Sequence, residues 1–220
     1  MYRSLLPRIY EIKDLCTNDT EHSYFNRLDN IITNSSLAKD FYKCLDDELF
    51  QLDHNSWDFF KSDIISEIAT YDKNRGWFQL FNRLNEVKGF IYLKNIGCSN
   101  VKFIERSREK TPDLKGKLDE ENIYCEVKTI NISESEIEKR KKPKLRRCSY
   151  DLPDEFFNKL SKVIQSAELQ FFEKSEKNII YIIINFDEIS FDPQEKFFED
   201  IECFLKKVDV ISKVIIYNPF

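Results

Sequence analysis

The stretch Ile179 to Phe186, IIYIIINF, is a continuous apolar run. A run this short and this rich in β-branched residues is what a strand buried on both faces requires. It lies between two amphipathic segments. In Asp154 to Glu173, residues Phe157, Leu160, Ile164, Ala167 and Phe171 recur at three- and four-residue steps, with Asp151 or Asp154 as the cap. Pro193 to Lys207 forms the second helix, with Pro193 in its first turn and Phe197, Ile201, Phe204 and Leu205 inward. Val210 to Tyr217 reads as a last strand. Helices and strands that alternate in this way define an α/β protein.

Upstream, Trp77 to Ile96 keeps a helical period through Phe78, Phe81, Leu84, Val87 and Ile91, and Gly97 supplies a C-cap. Three strands follow, in Val101 to Ile104, in KTPDLKG and in NIYCEVKTI, so the order from Trp77 is α-β-β-β-α-β-α-β. Residues 1–72 read as helical, with apolar spacing in Leu5, Leu6, Ile9, Ile12 and Leu15, in Phe25, Leu28, Ile31 and Ile32, and in Phe41, Leu45 and Leu49. Asn34-Ser35-Ser36 breaks and caps this region, and a further helix runs from Ser56 or Trp57 to Tyr71. The expected organisation is a helical N-terminal region, 1–72, and an α/β domain, 73–220. The first carries no chemical motif and suits packing, a homodimer or a protein partner.

Four glycines and six prolines disfavour an all-β sandwich with many tight turns. The six cysteines are dispersed without a CxxC pair, and two histidines are too few to help, so a zinc site is poorly supported. Free thiols fit a reducing compartment. The start MYRSLLPRIYEIKD lacks an apolar h-region and no stretch approaches a membrane span, so a cytoplasmic protein is expected. The net charge of −5 is unevenly spread: Val101 to Cys148 holds 14 basic and 10 acidic residues, a local +4 against −9 elsewhere.

That basic region contains the chemistry. In Asn122 to Ile130, Ile123, Cys125 and Val127 alternate with Tyr124, Glu126 and Lys128, so Glu126 and Lys128 share one strand face. A polar loop, Lys117 to Glu121, allows the strand bearing Asp113 to lie antiparallel to it. Two carboxylates and an ammonium then converge. Mg²⁺ takes one or two carboxylates with water or phosphate oxygens, and a nearby lysine stabilises negative charge developing on phosphate. Lys139, Arg140, Lys141, Lys142, Lys144, Arg146 and Arg147 put seven positive charges into nine residues. A basic loop beside a metal site grips phosphates, and Ser107 to Lys117 adds to it.

Pro112-Asp113 followed by Glu126-Val127-Lys128 resembles the signature of the PD-(D/E)XK nuclease superfamily. The resemblance covers Trp77 to Asn185 and implies a restriction-endonuclease-like αβββαβ core with a mixed central sheet. It implies a Mg²⁺- or Mn²⁺-dependent nuclease. Asp113 and Glu126 would hold the metal, the Val127 carbonyl would complete the shell, and Lys128 would stabilise the transition state or position water. Helices in similar nucleases bring a glutamate, best matched by Glu86 and more weakly by Glu67, and a glutamine, for which Gln165 and Gln170 are candidates. DNA is the expected substrate, endo- or exonucleolytically. RNA is not excluded, although no aromatic-rich stacking motif of the RNA-binding kind is present. The rivals are a non-catalytic protein of the same fold and an interaction protein working through the N-terminal helices.

Overall fold

The hydrophobic periods resolve into helices and strands in a computed structural model that describes residues 2–15, 25, 28–69, 78–105, 110–130, 152, 154–173, 175, 177–184 and 194–217. Among them are seven helices: α1 (Pro7–Leu15), α2 (Leu28–Asn34), α3 (Ser36–Phe50), α4 (His54–Ala69), α5 (Phe78–Asn95), α6 (Asp154–Glu168) and α7 (Gln194–Leu205). Five strands, β1 (Ser99–Phe103), β2 (Leu114–Leu118), β3 (Glu121–Ile130), β4 (Ile179–Ile184) and β5 (Lys213–Tyr217), form one mixed sheet in the order β1-β2-β3-β4-β5. The protein is therefore mixed α/β. Its contacts divide it into two compact units, Met1–Phe103 with Gly116–Asp119, and Ile104–Lys115 with Glu120–Phe220.

In the first unit the helices begin and end where local chemistry dictates. Ser35 takes an extended backbone and its hydroxyl accepts the Ala38 N–H at 3.2 Å, which caps α3. Asp53 does the same for α4 through the Ser56 N–H at 2.8 Å. The first turn of α1 is capped from another helix: buried Asp46 of α3 accepts the Ile9 N–H at 2.8 Å. Burial raises the Asp46 pKa, against backbone hydrogen bonds from Ile9 and Arg8 that lower it. Helix α5 ends in a Schellman turn, with Cys98 N–H on Leu93 O and Gly97 N–H on Lys94 O, both at 3.0 Å. The turn needs a left-handed residue, and Gly97 has φ +92°.

Leu15 and Ile31, expected in the apolar spacing of the N-terminal helices, are exposed, and expectations on α3 and α5 shift as well. Phe41 is 51 % exposed and Tyr42 takes the inward place beside Leu45 and Leu49. On α5 the buried line is Leu80, Leu84, Val87, Phe90 and Leu93, whereas Phe81 and Ile91 are only half-buried. Apolar residues stand on more than one side of both helices, so spacing alone leaves the inward direction open.

In the second unit β3, β4 and β5 are parallel, with Glu126 in register with Ile180, Lys128 with Ile182 and Ile130 with Ile184. All six residues of β4 are buried, as the apolar run requires. Ile130, Ile180, Ile182 and Ile184 form one cluster with Leu160, Ile164 and Ala167 of α6 and Ile201 of α7. The helix over this face follows from the three- and four-residue spacing of α6. Paired residues of neighbouring strands point to the same side, so Glu126 and Lys128 share a face with these isoleucines.

Candidate metal and phosphate site

Strands β2 and β3 are joined by only Asp119 and Glu120, with φ of 49° and 65°. The expected five-residue loop is thus a two-residue turn, and hydrogen-bonded neighbours joined so tightly are antiparallel. Neither residue is glycine, so the usual sequence mark of such a turn is missing. Counted back from the turn, Asp113 stands opposite Glu126 and Pro112 opposite Val127. The Asp113 Oδ2 accepts the Val127 N–H at 2.8 Å, in keeping with that count. Pro112 has no N–H to offer the Val127 carbonyl. Within an extended strand the N–H and C=O of one residue point to the same neighbour, so this carbonyl is directed to the side where Asp113 lies.

The structure brings Asp113, Glu126, Val127 and Lys128 together. Glu126 is 3 % exposed and its Oε1 is ion-paired with the Lys128 ammonium. Its buried Oε2 has no hydrogen-bond partner among the described residues. An acceptor left in this state costs about 1–3 kcal/mol. Burial, and then the adjacent Asp113 carboxylate, push the Glu126 pKa up to about 8, with Lys128 opposing. The isoleucines in register with Glu126 and Lys128 supply part of that desolvation. Two carboxyls side by side are both acceptors, and only a shared proton or a cation lets them approach without repulsion. Half-buried Asp113 and Lys128, whose side chain is 28 % exposed, connect the site to solvent.

Among the described residues no cluster of three or more His, Cys, Asp or Glu side chains is arranged to hold a metal. A cation at this site would therefore draw on two carboxylates, a main-chain oxygen and solvent. This suits Mg²⁺ or Mn²⁺, which keep several waters.

Other candidates are placed differently. Glu86 is buried on α5 and ion-paired with Arg83, which also pairs with Asp63 of α4. The Arg83 guanidinium lies 5.2 Å from the Phe103 ring centre and 5.8 Å from that of Phe60. This buried ionic cluster was missed in the sequence. Its only local signal is the three-residue step from Arg83 to Glu86 on an otherwise apolar helix. Gln165 is exposed on α6, and half-buried Gln170 lies in the turn after it. Lys139, Arg140, Lys141, Lys142, Lys144, Arg146 and Arg147 lie outside the described residues, and the side chain of Glu67 does too. None of the described helices is long and apolar enough to cross a membrane.

No family model, curated protein or solved structure matches this chain. The functional argument rests on the site itself.

Proposed function

We propose that the protein is a metal-dependent nuclease that hydrolyses DNA phosphodiester bonds, with its active site on β2 and β3. The observation that carries this reading is the Glu126 carboxylate, buried against Asp113 with one oxygen on Lys128 and the other accepting no hydrogen bond among the described residues. Asp113, Glu126 and the Val127 carbonyl would hold Mg²⁺ or Mn²⁺. The bound cation would polarise the phosphate and lower the pKa of coordinated water. Lys128 keeps a positive charge beside the reacting phosphate, where it stabilises the added negative charge as water attacks phosphorus and the P–O bond to the leaving oxygen breaks. Its contact with Glu126 fixes where that charge lies.

The element order α5-β1-β2-β3-α6-β4 supports a restriction-endonuclease-like core, because it is the αβββαβ order that the PD-(D/E)XK resemblance implies. The basic run from Lys139 to Arg147 supplies backbone-gripping charge. Glu86 is given no ligand role in this proposal, since its carboxylate is engaged by Arg83.

The test is incubation of the protein with supercoiled plasmid and with linear single- and double-stranded DNA in Mg²⁺, Mn²⁺ or EDTA, beside Asp113→Ala. Cleavage that needs metal and is lost in the variant is expected. DNA left intact under every condition, or cut equally by the variant, refutes the assignment.

A further inference from the structure

Side chains two residues apart on a strand stand on one face, about 7 Å from each other. Tyr124 is therefore the neighbour of Glu126 on the same face of β3. Counted from the same turn, Lys115 stands opposite Tyr124 as Asp113 stands opposite Glu126. Both Lys115 and Tyr124 are half-buried, and the Lys115 ammonium has no ion-pair partner among the described residues. Phe172 packs on Tyr124, with ring centres 5.6 Å apart and planes at 75°, an edge-to-face pair. The Phe172 side chain is nevertheless 58 % exposed, and Leu169, one helical turn earlier, is 60 % exposed. The chain on either side of Phe172 is fixed: Phe171 is buried in the core cluster, and the Glu173 carbonyl accepts the side-chain amide of buried Asn178 at 2.7 Å. Apolar groups left exposed together mark an interaction surface. Its neighbours identify the occupant. Bases stack on aromatic rings with little regard to sequence, and lysines pair with the backbone phosphates. A base inside a duplex is covered on both faces, so only one out of the stack can offer a face to Phe172.

We propose that Phe172, braced by Tyr124, is a stacking platform for an unpaired base of a DNA strand, that Lys115 holds a phosphate beside it, and that the protein thereby selects single-stranded over duplex DNA. The proposal rests on the nuclease reading for the course of the strand past Asp113 and Glu126, and it names the form of DNA taken there. Phe172 makes the contact with the base. Tyr124 is a positioning residue, since its ring fixes the tilt of Phe172.

The experiment is fluorescence anisotropy of the full-length protein in EDTA, where no metal-dependent cutting intervenes. The probes are a fluorescein-labelled oligothymidylate, the same strand paired with oligoadenylate, and a strand of equal length whose sugars carry no bases. The single strand is expected to bind at least about fivefold more tightly than the other two. Phe172→Ala and Phe172→Leu should each weaken it by at least about fivefold and leave the duplex and the baseless strand unchanged, whereas Phe172→Trp should keep wild-type affinity. Lys115→Gln should reduce the slope of log affinity against log salt by about 0.7 for the single strand. Circular dichroism verifies that each variant is folded. Equal affinity of the wild type for all three probes, no binding of the single strand, or an unchanged salt slope in Lys115→Gln would overturn the proposal. So would a Phe172→Leu variant that binds like wild type, a result that marks an apolar docking face for a protein instead. The readout is independent of cleavage. Binding as expected by a protein that leaves DNA intact in Mg²⁺ sinks the nuclease reading alone, and cleavage by a protein whose Phe172→Ala variant binds the single strand like wild type sinks only this inference.

Discussion

A buried carboxylate beside another carboxylate is an unfavourable arrangement for a folded chain, and Glu126 shows the cost through its pKa. The folded protein holds this proton up to about pH 8, while an unfolded glutamate releases it near pH 4.5. A raised carboxyl pKa favours the folded state most below the unfolded value, and the advantage is lost as pH rises through the folded value. Metal-free protein should therefore lose stability between about pH 4.5 and 8, by on the order of a few kcal/mol. Asp46 contributes in the same direction, since burial raises its pKa as well. The check is urea denaturation in EDTA across this range. Glu126→Gln should flatten much of the slope, and an unchanged slope in that variant would show that Glu126 is not the titrating group. Asp113, Glu126 and Lys128 were legible in the sequence because they lie within one hairpin, where alternation and pairing alone bring them together. The Arg83, Asp63 and Glu86 cluster was not, because Asp63 comes from a different helix and no short-range period links it to α5.

At the scale of elements, the β2–β3 turn is the part that sets the site. A one-residue slip would carry Glu126 and Lys128 to the opposite face. Asp119 and Glu120 hold this register with left-handed backbones that cost non-glycine residues energy. Asp119→Gly should relieve this strain and raise stability by about 1 kcal/mol, measured as a higher urea midpoint with the same m-value. A lower midpoint would contradict a strain at this position. The sequence reads as a hairpin with a five-residue loop, Lys117 to Glu121, and not as a two-residue turn, because Asp-Glu carries none of the Asn-Gly or Asp-Gly marks that announce such turns. The buried strand β4 was legible as an uninterrupted apolar run, and the helices α6 and α7 because each has a single dominant period. Helix α3 was less so, because Phe41 and Tyr42 are adjacent and either could face inward; Tyr42 does.

For the whole molecule, a net charge of −5 would repel a polyanion were it uniform. The positive charge is instead concentrated between Val101 and Cys148, the segment that also supplies Asp113, Glu126 and Lys128. In the proposed nuclease, binding and chemistry would draw on different residues of one segment, and Lys128 is the residue that would separate them. In the proposed site it acts on the phosphate during the reaction, while the many charges of the basic run contribute most of the affinity. The most direct measurement is cleavage and binding in the same samples, using a fluorescein-labelled DNA followed by gel and by anisotropy in Mg²⁺, for wild type and Lys128→Ala. The account predicts that the variant binds within a few-fold of wild type and cleaves at least about 100-fold more slowly. Cleavage by Lys128→Ala at the wild-type rate would contradict it.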